Sequence, residues 1–162
     1  MVIAIISDTH LPRGSRRLPD ACIARLRAAE LIVHAGDVSR CEVLEELKGF
    51  GPVIVVYGNT DDPLLRAALP ETAVIPVGDG RTLAVIHDAG PAQARLRRLR
   101  ARFPGADAVI FGHSHIPLHE RAPDWFQIFN PGSPTDRRRQ PRHTMGICHV
   151  GTELRFEMVE LD

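Results

Sequence analysis

The fold is decided by the opening stretch MVIAIISDTH, residues 1–10, in which the apolar run Val2–Ile6 stops abruptly at polar residues. Two further apolar runs, Leu31–His34 and Val53–Tyr57, stop in the same way at AGD (35–37) and at GN (58–59). Continuous Val- and Ile-rich runs without polar alternation are typical of strands buried on both faces. The sequence therefore predicts three buried strands that lead directly into polar turns.

Segments with helical character separate these strands. Residues 19–29 lie between the first two runs, and residues 40–50 lie between the second and third. In the latter segment Val43, Leu44 and Leu47 follow helical spacing, and the charged residues take the opposite face. The order strand, helix, strand, helix, strand implies parallel crossovers. The predicted fold class is therefore α/β (α+β in some classification schemes).

The second half of the chain predicts more antiparallel pairing. Its predicted elements are a hairpin of Thr72–Val77 with Thr82–His87, a helix over Pro91–Phe103 with Pro91 in its first turn, a strand over Asp107–Phe111, a strand pair of Leu118–Arg121 with Trp125–Phe129, and a closing hairpin of Thr144–Val150 with Glu153–Glu160. No linker or internal repeat interrupts this order, so we expect a single domain over residues 1–162.

Composition narrows the class of protein. The 20 basic and 20 acidic side chains balance, which argues against a dedicated nucleic-acid surface. No apolar run approaches the about 20 residues of a membrane span. The three cysteines lie far apart, so we expect reduced thiols and a cytoplasmic protein. Eight histidines are many for 162 residues, which suggests that some are gathered for chemistry.

Polar side chains follow five of the predicted strands at the point where each strand ends. They are Asp8 and His10, Asp37, Asn59, His87, and His113 with His115. Taken alone, the D-x-H, Gly-Asp and Gly-Asn motifs are ordinary turn chemistry, and His87 alone favours a core histidine. The Gly-His-x-His motif is stronger, because two histidines in an irregular loop have no packing reason to repeat. Strand ends are where α/β folds build ligand sites, and these nitrogen and oxygen groups suit divalent transition metals. The joint pattern therefore predicts one shared metal site.

This set of motifs resembles the signature of the calcineurin-like metallophosphoesterase superfamily. The motifs DTH (8–10), GD (36–37), GN (58–59), His87 and GHSH (112–115) carry the resemblance. The small size, GNTD (58–61) and NPGS (130–133) resemble its compact bacterial and archaeal phosphodiesterase branch. The resemblance implies the metallo-dependent phosphatase fold, a four-layer αββα sandwich of two mixed β-sheets flanked by helices.

The resemblance also implies two divalent metal ions. The first ion would bind Asp8, His10, Asp37 and His115, and the second would bind Asp37, Asn59, His87 and His113, so Asp37 would bridge them. Manganese is the first expectation, and iron, nickel and zinc are alternatives. The implied reaction is hydrolysis of phosphodiesters by a metal-bridging hydroxide. Two alternatives stay open, namely a phosphomonoesterase or nucleotidase with the same metals, and a non-catalytic protein-binding scaffold of the same fold, as in a eukaryotic retromer subunit.

Other site residues are weaker candidates. Many family members carry a histidine after the metal-binding asparagine, whereas this chain has Thr60, so Asp61 is a candidate substitute acid, with a turn or helix-capping role as its alternative. Arg13 and Arg142 lie near site loops and are candidates for binding a small phosphoester substrate. A homodimer is an expectation at the family level.

Overall fold

Two five-stranded sheets carry the fold, and the computed structural model describes all residues, 1–162. The strands are β1 (Val2–Ile6), β2 (Leu31–His34), β3 (Val53–Val55), β4 (Thr72–Gly78), β5 (Arg81–Ile86), β6 (Ala108–Ile110), β7 (Leu118–Arg121), β8 (Gln127–Asn130), β9 (Thr144–Val150) and β10 (Leu154–Glu160). The helices are α1 (Asp20–Ala28), α2 (Cys41–Lys48), α3 (Pro63–Ala68) and α4 (Arg95–Arg102).

Both sheets mix parallel and antiparallel strands. The first sheet has the order β10-β9-β1-β2-β3, in which β1, β2 and β3 are parallel and β9 and β10 are antiparallel to their neighbours. The second has the order β4-β5-β6-β8-β7, in which β5, β6 and β8 are parallel and the outer pairs are antiparallel. The predicted parallel order of the first three strands is therefore confirmed.

Three apolar layers hold the sheets and helices together. Strand residues that alternate along each strand fill the space between the sheets, with Ile5, Phe129 and Phe156 among them. The opposite face of the first sheet packs on α1, α2 and α3, and that of the second sheet packs on α4. The predicted four-layer αββα sandwich is confirmed. No helix combines the length and the apolar character needed to cross a bilayer.

Two local predictions differ from the structure, and one helix was not predicted. The helix predicted from Pro91 begins only at Arg95, because Ala94 adopts a left-handed backbone with φ 50°, which a continuous helix does not allow. The third strand ends at Val55 instead of Tyr57, because the Tyr57 amide donates to the Pro70 carbonyl. Helix α3 was not predicted; its N-terminal cap is Asp62, whose side chain accepts from the Leu65 amide at 2.9 Å.

Candidate metal centre

The strand ends of the two sheets meet at one rim of the sandwich. His87 follows β5 and directs Nδ1 to the Ala35 carbonyl beyond β2, at 2.8 Å. The His113 amide, beyond β6, donates to Asp8 Oδ2 beyond β1, at 3.0 Å. These two contacts join the sheets at the point where all seven predicted ligand side chains lie.

One group of these side chains surrounds Asp8. The nitrogens His115 Nε2 and His10 Nε2 lie 3.5 and 3.9 Å from Asp8 Oδ1. The two imidazole nitrogens face each other at 3.2 Å. The three ligand atoms lie within 4.8 Å of one another, which is close enough to hold one ion.

A second group surrounds Asp37. His87 Nε2 lies 3.3 Å from Asp37 Oδ2 and 3.1 Å from Asn59 Oδ1, and His113 Nδ1 lies 2.9 Å from the same asparagine oxygen. His10 Nε2, from the first group, lies 3.5 Å from Asp37 Oδ2. The structure thus brings together both predicted ligand quartets, with Asp37 between them. Asp8, from the first group, also has a ligand atom within 4.8 Å of those of Asp37 and His87.

The polar atoms of the rim fit divalent cations. Asp8 Oδ1 is completely buried and has no hydrogen-bond partner, which is costly for a carboxylate oxygen unless a cation binds it. The Nδ1 atoms of His87 and His115 are held by the carbonyls of Ala35 and Asp136. When the imidazole is neutral, Nδ1–H donates to the carbonyl and the Nε2 lone pair is left for a cation, as in metal-binding histidines.

Burial shifts the protonation of the ligand side chains. Burial raises the pKa of Asp8 to about 7 and lowers the pKa values of His10 and His115. Burial also opposes the charged forms of Asp37 and His87, but their mutual hydrogen bond and opposite charges outweigh it. The pKa of Asp37 is therefore lowered and that of His87 raised. A cation held by both residues would replace the proton that they share.

The backbone around the centre is strained. Five of the seven ligand residues have φ between 46° and 67°, a backbone region that residues other than glycine rarely adopt. They are Asp8, His10, Asp37, His113 and His115. Such strain persists where the surrounding structure fixes the chain, and it is concentrated at functional sites.

Side chains outside the predicted ligand set brace these loops. Ser133 Oγ donates to the Asp8 carbonyl at 2.8 Å, and Thr135 Oγ1 donates to the Thr9 carbonyl at 2.6 Å. Thr60 donates its amide to Asp37 Oδ1 at 2.9 Å, and its hydroxyl lies 3.2 Å from His10 Nδ1. Sequence reasoning noted the NPGS motif and Thr60 but missed that both orient ligands.

Asp61 is buried behind the centre. Its Oδ1 accepts from the Ser39 amide at 2.6 Å, and its Oδ2 accepts from the amides of Gly58 and Asp37 at 2.7 and 3.3 Å. Burial is the main cause that raises its pKa. With both oxygens occupied by backbone amides, this carboxylate is better suited to positioning the ligand loops than to transferring a proton. Its role as an acid stays a prediction.

The candidate arginines lie away from the ligands. Arg142 forms an ion pair with Glu160 at 3.8 Å, and Arg13 lines an open groove with Arg16 and Arg17. Neither contacts a predicted ligand, so their role in substrate binding stays a prediction. Arg16, which sequence reasoning did not single out, pairs with Asp136 at 3.3 Å beside the carbonyl that holds His115.

Two mixed sheets with a nitrogen- and oxygen-ligand cluster at their common rim define a metal-binding α/β sandwich protein. The chain matches the family model of the calcineurin-like phosphoesterase superfamily domain over residues 1–153. The chain belongs to this superfamily, which confirms the resemblance that its motifs carry.

Individual relatives agree with this assignment. A probable metallophosphoesterase of Methanocaldococcus jannaschii is 37% identical over 165 residues, covering 100% of this chain and 82% of the relative. A probable metallophosphoesterase of Methanothermobacter thermautotrophicus is 33% identical over 162 residues, covering 98% and 92%. Among solved structures, wild-type Vps29 of Entamoeba histolytica complexed with Zn²⁺ is similar in fold, with a TM-score of 0.79, 20% identity and complete coverage of both chains. Membership of this family indicates that the protein is a phosphoesterase, a hydrolase that uses divalent metal ions.

Proposed function

We propose that this protein is a dinuclear metal-dependent phosphodiesterase. The observation that carries the proposal is the convergence of the seven nitrogen and oxygen ligands around Asp8 and Asp37, where Asp8 Oδ1 is a buried oxygen without a partner. Two divalent ions, when bound, supply Lewis acidity and a nucleophile at neutral pH. The preference for diesters rests on the resemblance of GNTD (58–61) and NPGS (130–133) to the phosphodiesterase branch.

The proposed ligands determine where the two ions bind and on which side the ester approaches them. Asp8, His10, Asp37 and His115 would hold one ion, and Asp37, Asn59, His87 and His113 the other. Two carboxylates do not neutralise two divalent cations, so the site favours an anionic ester. Asn59 and His113 are exposed whereas Asp8 and His115 are buried, so the open side on which an ester binds is the side of Asn59 and His113.

A paired assay on the metal-loaded protein tests the proposal. Hydrolysis of bis(p-nitrophenyl) phosphate is compared with that of p-nitrophenyl phosphate after loading with manganese, iron, nickel or zinc. We expect the diester to be the better substrate and Asp37→Asn to lose activity and bound metal together. Asp79→Asn makes the same chemical change in an exposed hairpin turn, so it is the matched control and should retain both.

The two alternatives are separate outcomes of this assay. Faster hydrolysis of the monoester would favour the phosphomonoesterase or nucleotidase alternative. Metal binding without hydrolysis of either ester would favour the protein-binding scaffold. The fold similarity to Vps29 does not distinguish these outcomes, because likeness at 20% identity shows the fold alone.

The proposal also includes a cytoplasmic location, a small phosphoester as substrate, a homodimer and the lack of a dedicated nucleic-acid surface. The basic helix α4 supports the last point. Arg100 and Arg102 pair with Asp124 and Glu71 at 2.6 and 3.1 Å, and Arg98 donates to carbonyls of the preceding loop. These cations already have partners within the chain.

A further inference from the structure

A small cavity opens directly beside the candidate metal centre. Its volume is about 150 Å³, and Asn59 and His87, two of the proposed ligands, form part of its lining. None of the other lining residues is a proposed ligand; they are Tyr57, Gly58, Arg66, Glu71, Ile86 and Asp88. Any phosphoester bound at the open side of the centre therefore has this cavity next to its phosphoryl group.

The lining of the cavity combines an aromatic ring with apolar and polar groups. Tyr57 is the only tyrosine of the chain, and the Arg66 guanidinium lies 5.4 Å from the centroid of its ring. Tyr57 and Ile86 are the hydrophobic residues of the lining, and Gly58 has no side chain that would narrow the cavity. The Tyr57 amide donates to the Pro70 carbonyl at 3.0 Å, which fixes the backbone that carries the ring.

The acidic residues of the lining are partly engaged elsewhere. Glu71 pairs with Arg102 at 3.1 Å, and Asp88 Oδ1 accepts from the Gly90 amide at 2.7 Å. Both keep further acceptor capacity, because each carboxylate has about four lone-pair sites. The lining is thus suited to a planar group that stacks on an aromatic ring and carries hydrogen-bond donors at its edge.

We propose that this cavity is the subsite for one ester substituent of the substrate, and that it takes a single aromatic or heteroaromatic ring. The inference rests on the proposed function, since it assigns a substrate class to the same site. A cavity of roughly 150 Å³ holds one six-membered ring. Aromatic stacking adds to the binding free energy beyond the area that is buried. Tyr57 is thus a specificity-determining residue.

Two phosphonates that cannot be hydrolysed test the subsite. Binding of phenylphosphonate and methylphosphonate to the metal-loaded protein is measured by calorimetry, so the comparison involves no leaving group. We expect phenylphosphonate to bind about tenfold more tightly. Because the chain has one tyrosine, tyrosine-labelled protein gives the NMR signals of the Tyr57 ring alone, and phenylphosphonate should shift them more than methylphosphonate does.

Variants separate the ring from the rest of the protein. Tyr57→Phe should keep the tenfold ratio, and Tyr57→Leu should reduce it to below about threefold. Trp125→Leu makes an equivalent aromatic-to-aliphatic change at an exposed turn before β8, at the opposite rim, and should leave the ratio unchanged. The wild-type NMR measurement keeps the test valid if Tyr57→Leu does not fold.

The outcomes distinguish this inference from the proposed function. Equal affinities for the two phosphonates, with diester hydrolysis intact, would overturn the subsite and leave the phosphodiesterase proposal standing. An unmoved Tyr57 signal on binding of phenylphosphonate would do the same. Absence of both phosphonate binding and hydrolysis in the metal-loaded protein would overturn the two proposals together.

Discussion

Burial changes the chemistry of individual side chains in this protein. Cys22 and Cys148 are buried, and burial raises the pKa of each thiol to about 12, whereas Cys41 is only partly buried. His34 is wholly buried, and burial, with the nearby His87, lowers its pKa to about 3. Each shift follows from the low polarity of the surroundings, which disfavours the charged form.

The cysteines should differ in reactivity towards an aromatic disulfide reagent. The thiolate is the reactive form, and at pH 8 the two buried thiols are almost fully protonated and shielded from the reagent. We expect one thiol to react quickly in the native protein and three after unfolding. Cys41→Ser should remove the fast phase. Two fast thiols in the wild type would contradict the buried environments of Cys22 and Cys148.

His34 should make the stability depend on pH. Its Nδ1 accepts from the Gly36 amide and its Nε2 lies 3.1 Å from the Thr9 hydroxyl, so the folded protein keeps it neutral. Between its unfolded pKa near 6.5 and its folded pKa near 3, only the unfolded state binds the proton. The contribution of neutral His34 to stability is therefore complete above pH 6.5 and is lost as the pH falls towards 3.

Urea unfolding of the metal-free protein at pH 7.5 and pH 5 measures this effect. The free energy of unfolding should fall by about 2 kcal/mol more in the wild type than in His34→Gln, which has no titrating group at this position. Equal falls in the two proteins would show that His34 is protonated in the folded state at pH 5.

At the scale of the elements, the centre depends on how closely strand ends approach each other. Gly58 follows β3, and a Cβ built on it would lie 2.0 Å from Asp37 Oδ1. Gly112 follows β6, and its Cβ would lie 1.9 Å from Ser7 Oγ and 2.7 Å from Asp8 Oδ2. No side chain fits at these positions, so the glycines allow the loops that carry ligands to pack against Asp8 and Asp37.

Replacement of Gly58 should therefore damage the metal centre. In Gly58→Ala the methyl group displaces the Asp37 side chain. We expect manganese affinity to fall at least tenfold, because even the loss of a group that orients a ligand typically costs this much. Gly51→Ala is the matched control, since its Cβ would meet nothing within 4 Å and its φ is not left-handed. Calorimetric titration of both variants decides the point; an unchanged affinity in Gly58→Ala would contradict the close approach.

At the scale of the whole molecule, the two sheets are joined by the apolar core between them and by the candidate metal centre at their rim. In the core, Phe129 on β8 stacks on Phe156 on β10 with centroids 4.8 Å apart. At the rim, Asp8, His10, Asp37 and Asn59 follow strands of the first sheet, and His87, His113 and His115 follow strands of the second. The core and the centre should therefore both contribute to global stability.

Truncation of the core aromatic should be strongly destabilising. Phe129 is completely buried, and Phe129→Ala should lower the free energy of unfolding by about 3–5 kcal/mol through lost burial and the cavity left behind. Trp125→Ala, at a side chain that is 55% exposed, should cost much less. Urea unfolding of both variants measures the difference, and similar losses would show that Phe129 is not central to the packing between the sheets.

Metal binding should stabilise the folded chain because its ligands come from both sheets. At a free metal concentration 100 times the Kd, the gain is about 2.7 kcal/mol. The melting temperature should rise with added manganese and return to the metal-free value with a chelator. Asp37→Asn should abolish the rise, and a melting temperature that is independent of metal in the wild type would argue against a site that spans the sheets.

Much of this architecture could be read from the sequence. The strands β1 and β2 have the predicted bounds, because unbroken runs of β-branched residues that end in polar turns allow few other structures. The start of α4 could not be predicted, because alanine rarely adopts a left-handed backbone and nothing in the local sequence marks Ala94 as a residue that does. Helix α3, which was not predicted, does carry a local signal in Asp62 and Pro63, a capping residue followed by a helix-starting proline.

For the centre, the local order of residues alone determined which polar side chains follow directly after a strand. Only the tertiary structure decided that Asp8 Oδ1 is left buried without a partner, that Thr60 and Ser133 orient ligand loops, and that Arg142 is engaged by Glu160. It also placed Tyr57 beside the centre. The physical reason is that these features depend on distances between residues remote in sequence, which packing of the two sheets sets and local propensity does not.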